Sequence, residues 1–251
     1  MIKVLLSGCN GKMGRAFTRV ADKYEDLEIV AGFDISDAIP NSYPVYKNAA
    51  DIAMDIDAIV DFSHPSALSA ILDYAVSKKI PIVLPTTGYS AEQKEEIKAA
   101  AAKVPVFQSA NMSLGVNLMI ELVKKTAGLL GSGFDIEIIE KHHNQKVDAP
   151  SGTALMLADA MNQELDGSCA YVYDRHLKRE KRSNKEIGIH AVRGGTIVGE
   201  HTVIFAGNDE VIEVKHTATS KEVFAEGAVR AVRFLIGMEP GLYAMQDMIK
   251  V

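Results

Sequence analysis

The chain has 251 residues, 47% of them apolar and 24% charged, and a net charge of −6, the composition of a globular protein with ample material for a core. That acidic balance argues against a nucleic-acid binder, which would carry a basic face, so any bound anion must be met by a local site. No window approaches the roughly 18 apolar residues of a membrane span, the N-terminal apolar run is too short for a signal peptide, and Cys9 and Cys169 make no disulfide framework; a cytoplasmic protein with reduced thiols is expected.

Lys3 to Ser7 predicts a strand ending in Gly8-Cys9-Asn10-Gly11-Lys12-Met13-Gly14, after which Phe17, Val20 and Ala21 recur at helical spacing. Strand, glycine turn and helix, spaced G-x-x-G-x-x-G, form a variant of the dinucleotide fingerprint. Its glycines let the main chain approach a pyrophosphate, and the helix N-terminus faces the negative charge. Glu28 to Phe33 predicts the second strand, and Asp34 follows Gly14 by about twenty residues, where the fingerprint places an acid on the ribose hydroxyls. A carboxylate there favours NAD by repelling a 2′-phosphate. Lys12 could reach such a phosphate, which leaves NADH and NADPH both open, although it reads equally well as a solvated side chain at a helix start.

Strands are predicted over 57–62, 80–84 and 104–108, with helices over 66–77 and 91–102 between them. An open parallel sheet binds ligands beyond the carboxyl ends of its strands, so Phe62, Thr86, Thr87, Ser109, Ala110, Asn111 and Met112 should line a cofactor crevice with the glycine loop. His64, beside a proline, reads as a surface residue more readily than a chemical one.

From Leu114 a long apolar helix is predicted to about Leu130, with Leu118, Leu122, Val123 and Leu129 as its buried side. Strands over 134–141, 187–192, 201–206 and 211–217 follow, the last two joined at Asn208-Asp209, and these read as a mixed or antiparallel sheet. Such a sheet cannot continue the parallel series, so the fold class is α/β: an N-terminal Rossmann-like parallel sheet with an inserted α+β mixed-sheet domain. The segments are 1–113, 114–217 and 218–251, the last returning to the first domain through a helix over 221–234. The loop from Arg175 to Lys185, with Lys178, Arg179, Lys181 and Arg182, reads as solvated.

The densest chemistry lies between Glu140 and Ala154, in Glu-Lys-His-His-Asn-Gln-Lys-Val-Asp-Ala-Pro-Ser-Gly-Thr-Ala. Ser151 is placed to cap a helix marked by Leu155, Ala158, Met161 and Leu165, and the amides of Gly152 and Thr153 make a seat for a carboxylate or phosphate. Lys146, close to such an anion, can donate a proton to an atom that has just accepted charge. His142 and His143 point to opposite sides of an extended chain and have no third ligand nearby, so no metal is expected.

These residues closely resemble the 4-hydroxy-tetrahydrodipicolinate reductase (dihydrodipicolinate reductase) family over essentially the whole chain. The likeness rests on Gly8 to Gly14, Asp61-Phe62-Ser63, Thr86-Thr87-Gly88, Ala110-Asn111-Met112-Ser113, His142-His143 to Thr153, Val192-Arg193-Gly194-Gly195 and Gly199-Glu200-His201. It implies reduction of a cyclic, unsaturated imine dicarboxylate by NADH or NADPH in lysine and diaminopimelate biosynthesis. It also implies a dinucleotide-binding domain, an inserted substrate-binding and oligomerisation domain, and a homotetramer. By matching, His142 takes the acid–base position and Lys146 that of proton donor. His143, Ser151, Gly152, Thr153 and Lys221 take substrate positions. Gly8, Cys9, Asn10, Gly11, Lys12, Met13, Asp34, Phe62, Pro85, Thr86, Thr87 and Ser109 to Met112 take cofactor positions. Two residues depart from the family pattern. Pro85 replaces a glycine, and Lys221 replaces an arginine, keeping the charge but losing the bidentate grip on a carboxylate. Two rival readings are a Rossmann dehydrogenase of another small dicarboxylate, which would not need the His142 to Thr153 block, and a non-catalytic nucleotide-sensing protein, for which a basic appendage would be expected.

Overall fold

The computed structural model describes residues 1–176 and 178–249; the last two residues of the 218–251 segment lie outside the described residues. Among the described residues the chain divides into two compact units, one of Met1–Leu114 with 222–249, the other Gly115–Lys221.

The first unit begins with β1 (Ile2–Ser7), α1 (Lys12–Ala21), β2 (Leu27–Phe33), the two-residue β3 (Val45–Tyr46) and β4 (Ala58–Asp61). It continues through α2 (Leu68–Lys78), β5 (Ile82–Leu84), α3 (Ala91–Ala101) and β6 (Pro105–Gln108). In the second unit follow α4 (Leu114–Leu130), β7 (Asp135–His142), α5 (Gly152–Glu164), β8 (Ala170–Val172), β9 (Glu186–Arg193), β10 (Gly199–Ala206) and β11 (Val211–Ala218). The chain then returns to the first unit with α6 (Glu222–Leu235), β12 (Gly241–Tyr243) and the short α7 (Met245–Met248).

The first sheet has seven parallel strands in the order β12-β6-β5-β4-β1-β2-β3. Its central strands are apolar on both faces because helices cover both. Val4, Leu6, Val60 and Phe107 pack under α1 and α6 with Phe17, Val20, Ala228 and Val232. Leu5, Ile59, Ile82 and Val106 pack under α2 and α3 with Ile71, Ala75 and Ile97. Each such fully buried aliphatic side chain contributes about 1.5–3 kcal/mol relative to exposure. The strand order reverses between β1 and β4, and a sheet opens a ligand crevice at the carboxyl ends of the strands that flank such a point.

The second unit holds a mixed sheet, β11-β10-β7-β9-β8, in which β10 runs antiparallel to both neighbours while β7, β8 and β9 are parallel. One face is covered by α4 and α5. Ile136 and Ile138, Ile187 and Ile189, and Val203 and Phe205 meet Val123, Leu157 and Met161 there. The α/β class with an inserted mixed sheet is thus the observed architecture.

Two sequence expectations need correction. The buried side of α4 is Val116, Met119, Ile120, Val123 and Ala127, whereas Leu118 and Leu122 are exposed and Leu129 is 87% exposed. Apolar residues ring this helix, so periodicity permits more than one stripe, and the sheet selected the one that Val123 shares. Nor is the basic loop uniformly solvated. Arg182 donates to Asp135 (2.7 Å) and Glu137 (2.9 Å) and to the carbonyls of Ile136 and Glu186, which staples the loop to the starts of β7 and β9. The strands β3, β8 and β12, of two or three residues, are too short to carry a periodic signal and are not among those expected from sequence.

Candidate active site

In the first unit, the glycine loop is built by close approach. Gly8 has φ +71°, and a β-carbon on it would stand 2.7 Å from the Phe62 carbonyl carbon and the Ser63 nitrogen; one on Gly14 would stand 2.2 Å from the Gly8 carbonyl oxygen. Only glycine lets the loop fold back onto β4 and the first turn of α1. Gly11 occupies the N-cap of α1 and supplies no side-chain cap, so the amides of the first turn remain available to an anion.

Two clefts flank this loop. One, of about 530 Å³, is lined by Gly8, Asn10, Gly11, Asp34, Phe62 and His64 together with Phe33, Ile35, Ser36, Ile39, Ser63, Ser66 and Ala67. In it the Asp34 carboxylate accepts from the main-chain N–H groups of Asn10 (2.9 Å) and Ser36 (3.2 Å), which fix it at the end of β2. The other, of about 350 Å³, is lined by Met13, Phe62, Ser63, Pro85, Thr86, Thr87, Ala110, Met112 and Phe224. Thr86 Oγ1, 3.1 Å from the carbonyls of Asp61 and Ser63, ties the turn after β5 to the end of β4.

Four of the expected cofactor residues lie outside both linings. Lys12 is exposed on the first turn of α1. Ser109 and Asn111 are engaged in a local turn, with Ser109 Oγ donating to the Asn111 carbonyl and Asn111 Oδ1 accepting from Ser113 N–H. The Cys9 thiol is fully buried beside Gly32. Burial and the neighbouring Asp34 charge push it up to about 11, so any contact from Cys9 to a ligand is limited to its main chain. Ile35, Ile39 and Phe224 are lining residues that sequence reasoning did not single out, because isolated apolar side chains in a turn or at a helix start carry no signal of their own.

In the second unit, the chemistry grows out of strand alternation. The face of β7 that buries Ile136 and Ile138 continues through Glu140 and His142, both buried. Pairing places His201 of β10 opposite Glu140, His216 of β11 opposite His201, and Arg193 of β9 beside His142. One face of one sheet therefore changes, over a few residues, from aliphatic core to a row of ionisable groups.

Glu140 accepts four hydrogen bonds. Arg193 grips it with two nitrogens at 2.7 Å, Ser151 N–H reaches it at 3.0 Å, and His142 Nδ1 at 2.7 Å. Burial works to raise the Glu140 carboxyl, but the bonds from Arg193, His142 and Ser151 outweigh it and hold the group below its ordinary range. Glu140 is therefore a carboxylate that only accepts, and His142 carries its hydrogen on Nδ1. Burial, with the Lys146 and Arg193 charges, holds the His142 imidazole below its ordinary value against the adjacent Glu140. His201 lies 5.2 Å from His142 between ring centroids, shares a 2.9 Å bond with Ser151 Oγ, and is pushed by burial down to about 4. Ser151 is the N-cap of α5, accepting from Ala154 N–H at 3.2 Å.

The expected residues distribute around this cluster as follows. Gly152, exposed, and Thr153, half-buried, open α5, and a β-carbon on Gly152 would meet nothing. Lys146, half-buried in the loop after β7, pairs with Asp148 at 2.8 Å and holds that carboxyl below its ordinary value. The same loop is tied to Arg193 through the Asp148 carbonyl, 2.6 Å away. His143, half-buried, follows the end of β7, and Lys221 is exposed in the turn ahead of α6. The sequence expectations missed Glu140, Arg193 and His201 as members of the cluster. The alternation Ile136, Ile138, Glu140, His142 was the available signal, since a carboxylate and an imidazole in register with two core isoleucines must be buried.

Comparison with known proteins bears on both units. Residues 2–112 match the family model described as dihydrodipicolinate reductase, N-terminus, and residues 115–249 the one described as dihydrodipicolinate reductase, C-terminus. A 4-hydroxy-tetrahydrodipicolinate reductase of Caldanaerobacter subterraneus subsp. tengcongensis is 52% identical over 250 residues, covering 100% of this chain and 99% of the relative. One from Clostridium tetani is 49% identical, covering 99% and 97%. The solved structure of a dipicolinate-bound dihydrodipicolinate reductase from Paenisporosarcina sp. TG-14 superposes with a TM-score of 0.82 at 26% identity, covering 100% of both chains. These matches do not favour the rival readings, a dehydrogenase of another dicarboxylate or a nucleotide sensor.

Proposed function

We infer the division of labour among these residues from one premise: the chain belongs to the dihydrodipicolinate reductase family and catalyses the NAD(P)H-dependent reduction of a cyclic, unsaturated imine dicarboxylate to tetrahydrodipicolinate. The first unit is the dinucleotide-binding domain and the second the substrate domain. The cradle at Gly8 and Gly14, which a β-carbon would fill, fits a pyrophosphate, and the Asp34 carboxylate fits a ribose diol. Gly8, Asn10, Gly11 and Asp34 would hold the adenosine half, and Met13, Phe62, Pro85 to Thr87, Ala110 and Met112 the nicotinamide half. Cys9, Ser109 and Asn111 contribute through the main chain and through turn geometry. The reduced nicotinamide, when bound, supplies the hydride.

The protein's own residues supply the proton and the orientation. Hydride addition leaves an electron pair conjugated with the imine nitrogen, and the Lys146 ammonium neutralises it by donating a proton. The amides of Gly152 and Thr153 at the start of α5 receive a substrate carboxylate, with His143 and Lys221 as further contacts to the dianion. His142, its Nε2 not committed to Glu140, is the acid–base group. The observation that carries this reading is the fastening of the α5 N-terminus to the imidazole pair: Ser151 bonds Glu140 through its amide and His201 through its hydroxyl. An anion seat and an acid–base group are thereby held in one rigid frame.

The assembly we propose is a homotetramer in the cytoplasm, supported by the family resemblance and by the exposed apolar residues Val192, Val211 and Ile212 on the β9 and β11 strands. Analytical ultracentrifugation tests the assembly. The reaction is tested by following NADH and NADPH oxidation side by side with freshly condensed pyruvate and aspartate semialdehyde. Lys146→Ala should lower turnover by about 100-fold or more while leaving NADH affinity nearly unchanged; full activity in that variant would remove the assigned role.

A further inference from the structure

We propose that Glu140 is a positioning residue for the reaction. It fixes the His142 imidazole with the hydrogen on Nδ1 and leaves Nε2, beside Gly199, uncommitted to it, and Arg193 serves to hold Glu140 in place. The inference deepens the proposed function and rests on its assignment of His142 as the acid–base group.

Three observations carry it. First, Glu140 cannot itself meet a substrate. It is fully buried, and its two oxygens already accept four bonds, from Arg193 twice, Ser151 and His142, which fills a carboxylate's capacity. Second, stability is a weak reason for the group to be there. A buried carboxylate–guanidinium pair is commonly no more stabilising than apolar side chains of like volume, and the preceding residues on the same face, Ile136 and Ile138, show what this core accepts. Third, the opposite edge of the imidazole abuts a glycine, where a side chain would press on it. Gly199 lies across from His142, and a β-carbon there would stand 3.1 Å from Nε2. The ring is thus clamped at one nitrogen by Glu140 and met at the other by a glycine, and a carboxylate on one ring nitrogen is the arrangement that orients a working histidine.

The charged and titratable groups that face His142 are Glu140 on its own strand, Arg193 on β9, His201 on β10 and Lys146 in the following loop. Of these only Glu140 favours the imidazolium, so its neutralisation moves any His142-dependent limb of the rate profile to lower pH.

The test uses the full-length chain with nitrogen-15-labelled histidine. Long-range proton–nitrogen spectra should show His142 in the parent as a single Nδ1–H tautomer. In Glu140→Gln, and in the double variant Glu140→Gln/Arg193→Gln in which two amides replace the ion pair, that signature should give way to a tautomer mixture. In NADH-oxidation assays kcat should fall by about 100-fold with KM little changed, and the pH limb should shift downward. The double variant keeps the test decisive if the single one fails to fold. An unchanged tautomer signature and pH limb in either folded variant would overturn the proposal. The spectra do not depend on turnover, so a parent enzyme inactive on the condensed substrate would refute the reductase reading while the positioning claim is still judged. A lost signature with unchanged kcat would leave Glu140 as the clamp and remove His142 as the acid–base group.

Discussion

Gly199 faces His142 across the β7–β10 ladder so closely that a β-carbon on it would stand 3.1 Å from the imidazole Nε2. The ring cannot retreat freely, because Nδ1 is held by Glu140 at 2.7 Å. Gly199→Ala should therefore displace the imidazole by a few tenths of an ångström or more. Turnover is expected to fall about 10- to 100-fold, since small misplacements of a reacting group are costly. The unfolding free energy should drop by only about 1 kcal/mol, the low end of overpacking. Steady-state kinetics with urea unfolding on the same preparation checks both.

At the glycine loop the tolerance is smaller. A β-carbon on Gly14 would lie 2.2 Å from the Gly8 carbonyl oxygen and 2.7 Å from Cys9 main-chain atoms, none of which is the end of a flexible side chain. Gly14→Ala should cost about 1–3 kcal/mol of stability and weaken NADH binding at least about tenfold, equivalent to 1.4 kcal/mol. Calorimetric titration with NADH reads the second effect, and unaltered affinity would contradict the pyrophosphate cradle.

Stability should depend on pH through the buried imidazoles. His201 is depressed from 6.5 to about 4 by burial and by the neighbouring His142, while His142 and His216 are lowered in the same sense. The unfolded chain takes up these protons before the folded chain does, so stability is full above pH 6.5 and is lost as pH falls toward 4. His201 alone accounts for on the order of 3 kcal/mol of that loss. Glu200, held to about 2 by Lys141 and Lys215, loses its contribution only at lower pH, below 4.5. Urea unfolding at a series of pH values should show the decline, and His201→Gln, which cannot titrate, should flatten it between pH 6.5 and 4.

Arg182 anchors the loop ahead of β9 through Asp135, Glu137 and three carbonyls, with its side chain 16% exposed. Arg182→Ala leaves two carboxylates and three carbonyls short of a donor and should destabilise the chain by about 2–4 kcal/mol. Its reach is limited to the starts of β7 and β9, away from His142 at the end of β7, so kcat should be preserved. Thermal unfolding and NADH-oxidation rates decide the matter.

The sequence by itself determined whatever depends on local chain geometry. Short β-branched runs between Gly and Pro turns marked the parallel strands, and the spacing of Gly8, Gly11 and Gly14 marked the tight turn between β1 and α1, because backbone conformation there is dictated within a few residues. Ser151 was legible as an N-cap for the same reason. Tertiary structure alone decided which stripe of α4 would be buried, since Leu118 and Leu129 are as apolar as Val123 and only the opposing sheet distinguishes them. It alone brought Arg193 and His201, some fifty and sixty residues downstream, onto the face of Glu140 and His142. Register between distant strands is set by the packing of whole faces. The residues proposed to bear the chemistry could therefore be read in the chain, whereas the partners that hold them in place could not.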